Sequence, residues 1–179
     1  MTPYNLPGQP HLAYRDGELF VESAHLSALA QIHGTPLFVY DEEHLRSRCR
    51  EARSILGEHG AIYAGKAFLC RAMAQLVAEE GLRIDVATGG ELHVALAAGV
   101  PAERIVLHGN NKSREELALA AEQGVTVVAD NWRDLELLAA LAPDLQRPVQ
   151  LMLRFTPGIE CHTHEYIRTG HLDSKFGFD

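Results

Sequence analysis

The chain alternates between short apolar runs and longer stretches in which apolar residues recur at helical spacing. The runs are four to seven residues long and partly β-branched, which is typical of buried strands. From the second run onward, their first residues lie 22, 21, 21 and 24 positions apart. The six runs are residues 36–40, 61–64, 83–86, 104–107, 125–129 and 149–155.

Helices are predicted between the runs, because apolar residues there repeat at every third or fourth position. Ser113 followed by Glu116 fits a capping box, and Asp41 and Asn131 are residue types that begin helices. Glycine often ends a helix, because it adopts the left-handed backbone conformation without a side-chain clash. The glycines at the predicted helix ends are Gly57, Gly81, Gly99 and Gly124.

This regular alternation indicates parallel strands joined by helical crossovers, either as a (β/α) barrel or as an open doubly wound sheet. Polar side chains follow five successive runs, and each one taken alone marks no more than the end of an apolar strand. Five in phase favour a barrel, in which functional groups gather at the carboxyl ends of the strands. These residues are Lys66, Thr88, His108, Asp130 and Arg154.

The predicted barrel is unfinished within this chain. A complete barrel has eight strands and about 250 residues, whereas these 179 residues hold five candidate barrel strands, with residues 36–40 as a lead-in. An unclosed barrel leaves the last strand, residues 149–155, with unpaired backbone groups along one side. We therefore expect the chain by itself to be marginally stable, prone to aggregation or dependent on a partner.

Composition and charge exclude several classes of protein. A formal net charge of −8 and scattered basic residues argue against a nucleic-acid-binding surface. No apolar run reaches the length of about 18 residues that a membrane span needs. The N-terminus has no basic stretch followed by an apolar one, so no secretory signal is predicted. Three widely spaced cysteines indicate reduced thiols and a cytoplasmic location.

Lys66 follows an apolar run directly, within the segment YAGKA at residues 63–67. An amine must be neutral to attack an aldehyde, and desolvation or nearby positive charge favours the neutral form. Spacing alone fits an ordinary loop lysine as well. The segment resembles the tyrosine-alanine-any-lysine-alanine motif of the alanine-racemase-like, barrel-fold enzymes that use pyridoxal 5′-phosphate. In that family this lysine forms a Schiff base with the aldehyde of the cofactor.

Further blocks resemble one branch of that family, the diaminopimelate decarboxylases. The segments DVATGGEL at 85–92 and HGNNKS at 108–113 resemble the blocks that follow the second and third strands. Arg154 and the segment TPG at 156–158 resemble a third block. The series is completed by THEYIRTG at 163–170 and SKFG at 174–177. The matches run in order, with compatible spacing, from about residue 35 to the last residue.

The resemblance implies a fold and its division into parts. Residues 35–179 would form the N-terminal half of a pyridoxal-phosphate-binding (β/α)8 TIM barrel of the alanine racemase type, truncated after about five strands. Residues 1–34 would carry a helix and one strand of the family's β-domain, with residues 18–22 as the strand. The rest of the C-terminal β-domain, the phosphate-binding loop and the substrate-binding residues would be absent.

The resemblance also implies a site, with Lys66 as the catalytic and cofactor-binding residue. Asp85, His108 and Arg154 would be further cofactor-binding residues. A carboxylate in a buried strand needs a partner, and Arg154 is a candidate for Asp85, although a purely structural ion pair fits equally well. His108 fits either a contact with the cofactor or a structural role. The glycine pair that begins at Gly89 fits either close approach of a ligand or a tight turn.

The function implied is the decarboxylation of meso-2,6-diaminopimelate to L-lysine, the last step of lysine biosynthesis, by a homodimer. Two alternatives stay open. One is a related decarboxylase acting on ornithine, arginine or carboxynorspermidine, and the other is a truncated, non-catalytic homologue that binds pyridoxal phosphate or a full-length partner. No nucleic acid and no membrane is expected as a partner.

The segment CHTH at residues 161–164 offers a thiol and two imidazoles to a metal ion. These side chains stand too close together in sequence to supply three or four ligands to one ion, and no second cluster has the usual spacing. The sequence therefore predicts no metal site.

Overall fold

The computed structural model describes residues 4–6, 9–58, 60–157 and 176–178. The chain separates into two compact units, Met1–Glu51 and Ala52–Asp179. The family-based division after residue 34 stays a prediction. Within the described residues, no helix combines the length and the apolar character that crossing a bilayer requires.

The first unit contains a four-stranded antiparallel sheet in which each strand pairs with the next one along the chain. A two-residue turn of Asp16 and Gly17, both with positive φ, joins the second and third strands as a tight hairpin. Only residues 18–22 were expected to form a strand. The other three strands are short or carry polar residues without alternation, so their sequences give no strand signal. The elements are β1 (Tyr4–Leu6), β2 (Gln9–Arg15), β3 (Glu18–Val21), β4 (Ala24–His25) and helix α1 (Leu26–His33).

Residues 36–40 form no strand, so this apolar run is a lead-in only. Pro36 lacks the backbone N–H that a strand would donate, and Phe38 is exposed. The run ends at Asp41, whose Oδ1 accepts a hydrogen bond from the backbone N–H of His44 at 3.0 Å. Helix α2 (Glu42–Leu56) follows, which confirms Asp41 as a capping residue.

The second unit contains a parallel sheet of five strands, as the sequence predicts. The strands pair in sequence order, each with its neighbours along the chain, which is the order of a barrel and differs from that of a doubly wound sheet. The α/β prediction is therefore confirmed. The strands are β5 (Ile62–Ala64), β6 (Arg83–Val86), β7 (Ile105–Leu107), β8 (Thr126–Ala129) and β9 (Leu151–Leu153).

A helix connects each strand of this sheet to the next, and the predicted caps are present. Ser113 Oγ accepts from the backbone N–H of Glu116, whose carboxylate accepts from the backbone N–H of Ser113. Asn131 Oδ1 accepts from the backbone N–H of Asp134 at 3.0 Å. Gly124 ends its helix in the left-handed conformation, with φ 83°. The helices are α3 (Arg71–Glu79), α4 (Gly89–Ala97), α5 (Arg114–Gln123) and α6 (Trp132–Leu141).

The core of this unit lies where the helices cover the sheet. All three residues of β7 are buried, whereas all three residues of β9 are exposed. Strand β9 pairs with β8 and, in the described part of the chain, with no other strand. The sheet is thus well covered at its centre and open at β9. The fully buried apolar residues include Val77, Ile84, Leu92, Ile105, Leu107, Leu117 and Val127.

Candidate functional site

The predicted reactive residues meet at one edge of the parallel sheet, because the carboxyl ends of parallel strands lie together. Lys66 follows β5 in the short 3-10 turn Gly65–Ala67. Asp85 lies within β6, His108 follows β7 directly, and Arg154 follows β9 directly. We call this edge the rim.

The turn that carries Lys66 rests directly on the neighbouring strand. A Cβ atom at Gly65 would lie 2.7 Å from the carbonyl oxygen of Asp85, so only glycine fits this approach. Tyr63 Oη donates to the carbonyl oxygen of Phe68 at 2.6 Å and closes the turn. Lys66 itself is exposed, so the described residues do not supply the desolvation that the sequence suggested.

Asp85 lies at the electrostatic centre of the rim. Ile84 and Val86 are buried, and Asp85 between them points to the opposite face of the sheet. Its Oδ1 is buried and accepts no hydrogen bond from the described residues, and His108 Nδ1 lies 3.6 Å from it.

Burial raises the pKa of the Asp85 carboxyl above its ordinary value. The charges of His108, Lys66 and Arg154, in decreasing order, lower this pKa, and that of Glu91 raises it. The four residues proposed from the sequence, Lys66, Asp85, His108 and Arg154, therefore belong to one electrostatic group. Their roles towards a cofactor stay a prediction.

Arg154 pairs directly with Asp130, not with Asp85. Its Nη1 donates to Asp130 Oδ1 at 2.9 Å, and its guanidinium lies 4.4 Å from the centre of the Phe176 ring. Asp130 is buried, and its second oxygen accepts from the backbone N–H of Gly177 at 3.2 Å. Arg154 is therefore a counter-charge of Asp85 without a direct ion pair in the described structure, because Asp130, directly after β8, is its direct partner. The charge of Arg154 acts on Asp85 only at longer range.

Thr88 and Gly89 have structural roles at the start of α4. Thr88 Oγ1 accepts from the backbone N–H of Glu91, so this residue caps the helix. The backbone N–H of Gly89 donates to Glu116 Oε1 at 2.5 Å. This N–H is thus bound within the chain, and the role of the glycine pair towards a ligand stays a prediction.

Sequence reasoning missed a buried ion pair between the loop after β7 and the first turn of α6. Lys112 Nζ lies 2.7 Å from Asp134 Oδ2, and both side chains are almost completely buried. Lys112 was noted only as part of the HGNNKS block, and Asp134 looked like an ordinary acid in the first turn of α6. The available signal was a lysine in a loop whose neighbouring strand is entirely apolar.

The metal question concerns two places. Residues 161–164 lie outside the described residues, and so does the block at 163–170. In the first unit, His11, Glu22 and Asp41 bring ligand-type atoms within 4.8 Å of one another. His11 Nδ1 lies 2.5 Å from Glu22 Oε1 and 3.6 Å from Asp41 Oδ2, so the nitrogen that would bind an ion already has a hydrogen-bond partner.

Comparison with known proteins gives a consistent result. The family profile described as "Pyridoxal-dependent decarboxylase, pyridoxal binding domain" matches residues 42–179. Diaminopimelate decarboxylase of Mycobacterium tuberculosis (strain H37Rv) is 49% identical over 163 residues, which are 90% of this chain and 36% of that protein. The corresponding protein of Synechocystis sp. is 46% identical over 178 residues, covering 92% of this chain and 38% of that protein.

A solved structure agrees with the sequence comparisons. The crystal structure of diaminopimelate decarboxylase from M. jannaschii in co-complex with L-lysine matches with a TM-score of 0.81 and 32% identity. The match covers 94% of this chain and 41% of that one. The chain thus has the fold of the corresponding part of that protein, and it spans about 38% of the length of the first curated relatives.

Proposed function

Since this chain belongs to the pyridoxal-dependent decarboxylases, we propose that it forms the cofactor-binding part of a diaminopimelate decarboxylase. The proposed reaction converts meso-2,6-diaminopimelate into L-lysine and carbon dioxide. Identities of 46 to 49% over about nine tenths of the chain support this substrate. One structural observation carries the assignment of the site: Lys66 stands at the rim within electrostatic reach of the half-buried Asp85.

The residues at the rim fit pyridoxal 5′-phosphate, the cofactor of this family. An exposed primary amine at position 66 is the group that would hold an aldehyde carbon covalently. Asp85 Oδ1 is buried without a hydrogen-bond partner among the described residues, so this oxygen is free to accept one from a bound group. Asp85, His108 and Arg154 would surround the cofactor with one negative and two basic side chains.

When bound, the cofactor supplies an electron sink for the electron pair that remains after carbon dioxide leaves. The chain itself supplies position and proton transfer. The charges of Asp85 and Lys66 act on each other across the rim. Because burial raises its pKa, Asp85 Oδ1 accepts a proton more readily than an ordinary carboxylate does. His108 Nδ1, 3.6 Å away, stabilises the ionised carboxylate when the imidazole is protonated.

Borohydride trapping tests the proposed lysine. The native protein is incubated with pyridoxal 5′-phosphate, reduced with borohydride and mapped by mass spectrometry. We expect the label on Lys66 and none in a Lys66→Arg variant, which keeps the charge beside Asp85. Arg104→Lys is the matched control, since it places a new amine before β7, at the opposite edge of the sheet. A label on that new lysine, or on none, contradicts the proposal.

The substrate is tested by assaying the native protein for carbon dioxide release from meso-diaminopimelate, ornithine, arginine and carboxynorspermidine. Turnover of diaminopimelate to lysine is expected to exceed that of the others. Turnover of ornithine without turnover of diaminopimelate would move the protein to the alternative decarboxylases. Cofactor binding with no turnover of any of these would favour the non-catalytic homologue.

We also propose a cytoplasmic homodimer. The two cysteines in the described part of the chain, Cys49 and Cys70, are free thiols, as a reducing compartment maintains. Cell fractionation and light scattering of the native protein measure location and subunit number. Recovery in a secreted fraction, or a monomeric mass, would contradict this part of the proposal.

A further inference from the structure

Lys112 is the largest fully buried side chain among the described residues. It lies in the loop between β7 and α5, at the same edge of the sheet as the rim residues. Burying an ammonium group is unfavourable unless partners replace the lost water. A lysine kept in such a place therefore makes contacts that an apolar residue would not make.

One contact of Lys112 reaches the turn after β7. Its Nζ donates to the carbonyl oxygen of Gly109, the residue that directly follows His108. Gly109 has φ 103°, and a Cβ atom there would lie 2.8 Å from the carbonyl oxygen of Ala87. The turn therefore lies in close contact with the segment after β6, and it is hydrogen-bonded to the buried Lys112. The position of His108 at the rim depends on this turn.

The other contact of Lys112 reaches the end of β8. Asp134 Oδ2, 2.7 Å from Lys112 Nζ, also accepts the backbone N–H of Asp130 at 3.0 Å. Asp130 in turn binds Arg154 through Oδ1. A continuous series of polar contacts therefore joins Lys112 to Arg154, which follows a different strand.

We propose that Lys112 and Asp134 are positioning residues, whose buried ion pair holds His108 and Arg154 in place at the cofactor site. This inference rests on the proposed function. An apolar pair of similar volume would pack as well, but it would offer no donor to the Gly109 carbonyl and no acceptor to the Asp130 N–H. The ion pair therefore makes two directional hydrogen bonds that an apolar pair could not make.

The pair also sets the environment of Asp85. Four charged or titratable groups act on this carboxyl, namely His108, Glu91, Lys66 and Arg154, and the ion pair holds two of them. Displacement of His108 removes the largest influence that lowers the pKa of Asp85. That pKa then rises, and a reaction that needs the ionised carboxylate fails at a higher pH than before.

The double variant Lys112→Met/Asp134→Asn tests the proposal in the native protein. Methionine fills the volume of the lysine, and the amide oxygen of asparagine still accepts the Asp130 N–H. We expect borohydride labelling of Lys66 to persist. We expect kcat/KM for diaminopimelate to fall by about 10- to 100-fold, since displacement of a group by about 1 Å is enough for such a loss. The acidic limb of the pH profile should move to higher pH.

Val77→Ala is the matched control, because it opens a buried position in α3, a helix that carries none of these groups. It should lower the melting temperature without moving the pH profile. If the double variant does not fold, Lys112→Arg takes its place, since it keeps the charge but changes the spacing to Gly109 and Asp134. A folded variant with the parent's kcat/KM and pH profile overturns the proposal. Absence of Lys66 labelling in the parent overturns the proposed function instead, so the two failures are distinguishable.

Discussion

Asp85 determines how the site responds to pH. Burial raises the pKa of its carboxyl above the ordinary 3.8, and the charge of His108 only partly opposes this. A raised pKa means that the folded chain holds this proton more tightly than the unfolded chain does. The ionisation of Asp85 therefore lowers the free energy of unfolding as the pH rises above the ordinary pKa of 3.8. The full reduction is reached above the pKa of the folded state.

Asp85→Asn is accordingly expected to raise the melting temperature at about pH 7. The gain should shrink as the pH falls through the ordinary value of 3.8, because below it the parent carboxyl is neutral in both states. Calorimetry of both proteins across that range measures the difference. A gain that is equal at all pH values, or a loss at neutral pH, would contradict the assigned electrostatics. The same variant should bind pyridoxal 5′-phosphate less tightly, as absorbance titration would report.

Gly65→Ala is expected to destabilise the fold by about 1–3 kcal/mol. The new Cβ would lie 2.7 Å from the backbone carbonyl of Asp85, and neither strand can yield without breaking the sheet. Gly90→Ala is the control, because its nearest neighbour is Thr88 Oγ1 at 3.9 Å and its backbone is helical. Urea unfolding compares the two. Equal midpoints would show that the turn carrying Lys66 is not held against β6.

At the level of whole elements, Glu116 joins the beginnings of two helices. One carboxylate oxygen accepts the backbone N–H of Ser113 at the start of α5, and the other accepts that of Gly89 at the start of α4. Without Glu116, the backbone N–H groups of Ser113 and Gly89 would each lose this hydrogen-bond acceptor. The two loops after β6 and β7 are thereby fixed with respect to each other.

Replacing Glu116 should destabilise the chain in a graded series. Glu116→Gln retains one acceptor oxygen, whereas Glu116→Ala leaves both N–H groups without this partner and should cost about 1–3 kcal/mol. Glu122→Ala removes an exposed acid from the last turn of the same helix and should change little. We expect the denaturant midpoint to decrease from the parent to Glu116→Gln and again to Glu116→Ala. A Glu116→Ala variant as stable as the parent would show that water replaces the two hydrogen bonds of Glu116.

The βα units could be predicted from sequence because the pattern of each unit lies within one short, continuous stretch of the chain. Apolar strands and helical periodicity gave β5 to β9 and their helices, and capping residues such as Ser113 gave helix starts. The sheet of the first unit was largely missed, since β1, β2 and β4 have no alternating pattern. The pairs Lys112–Asp134 and Arg154–Asp130 were missed because each joins residues that are more than 20 positions apart in sequence. Such contacts depend on the tertiary fold, and no local pattern identifies the two partners.

At the scale of the whole molecule, the exposed strand β9 is the described element that most favours aggregation. Leu151, Met152 and Leu153 are each between 44 and 47% exposed, and the strand pairs with β8 alone among the described strands. Unpaired backbone groups beside apolar side chains form a template for pairing with another chain.

The 179-residue polypeptide alone is therefore expected to self-associate. Met152→Lys should reduce this association, because charge on an edge strand opposes strand pairing. Ile55→Lys places the same charge at an exposed position of α2 and serves as the control. Light scattering as a function of concentration measures association. A monodisperse monomer with a sharp, reversible unfolding transition would contradict this expectation.

The order of the strands also bears on how the chain is made. In the second unit each strand after β5 pairs with the one that precedes it in sequence, so during translation every new strand meets a partner that has already left the ribosome. The sheet can grow by one strand and one helix at a time, without waiting for distant segments. Slowed synthesis should therefore leave nascent chains that end after a whole βα unit better protected from protease than chains that end within one.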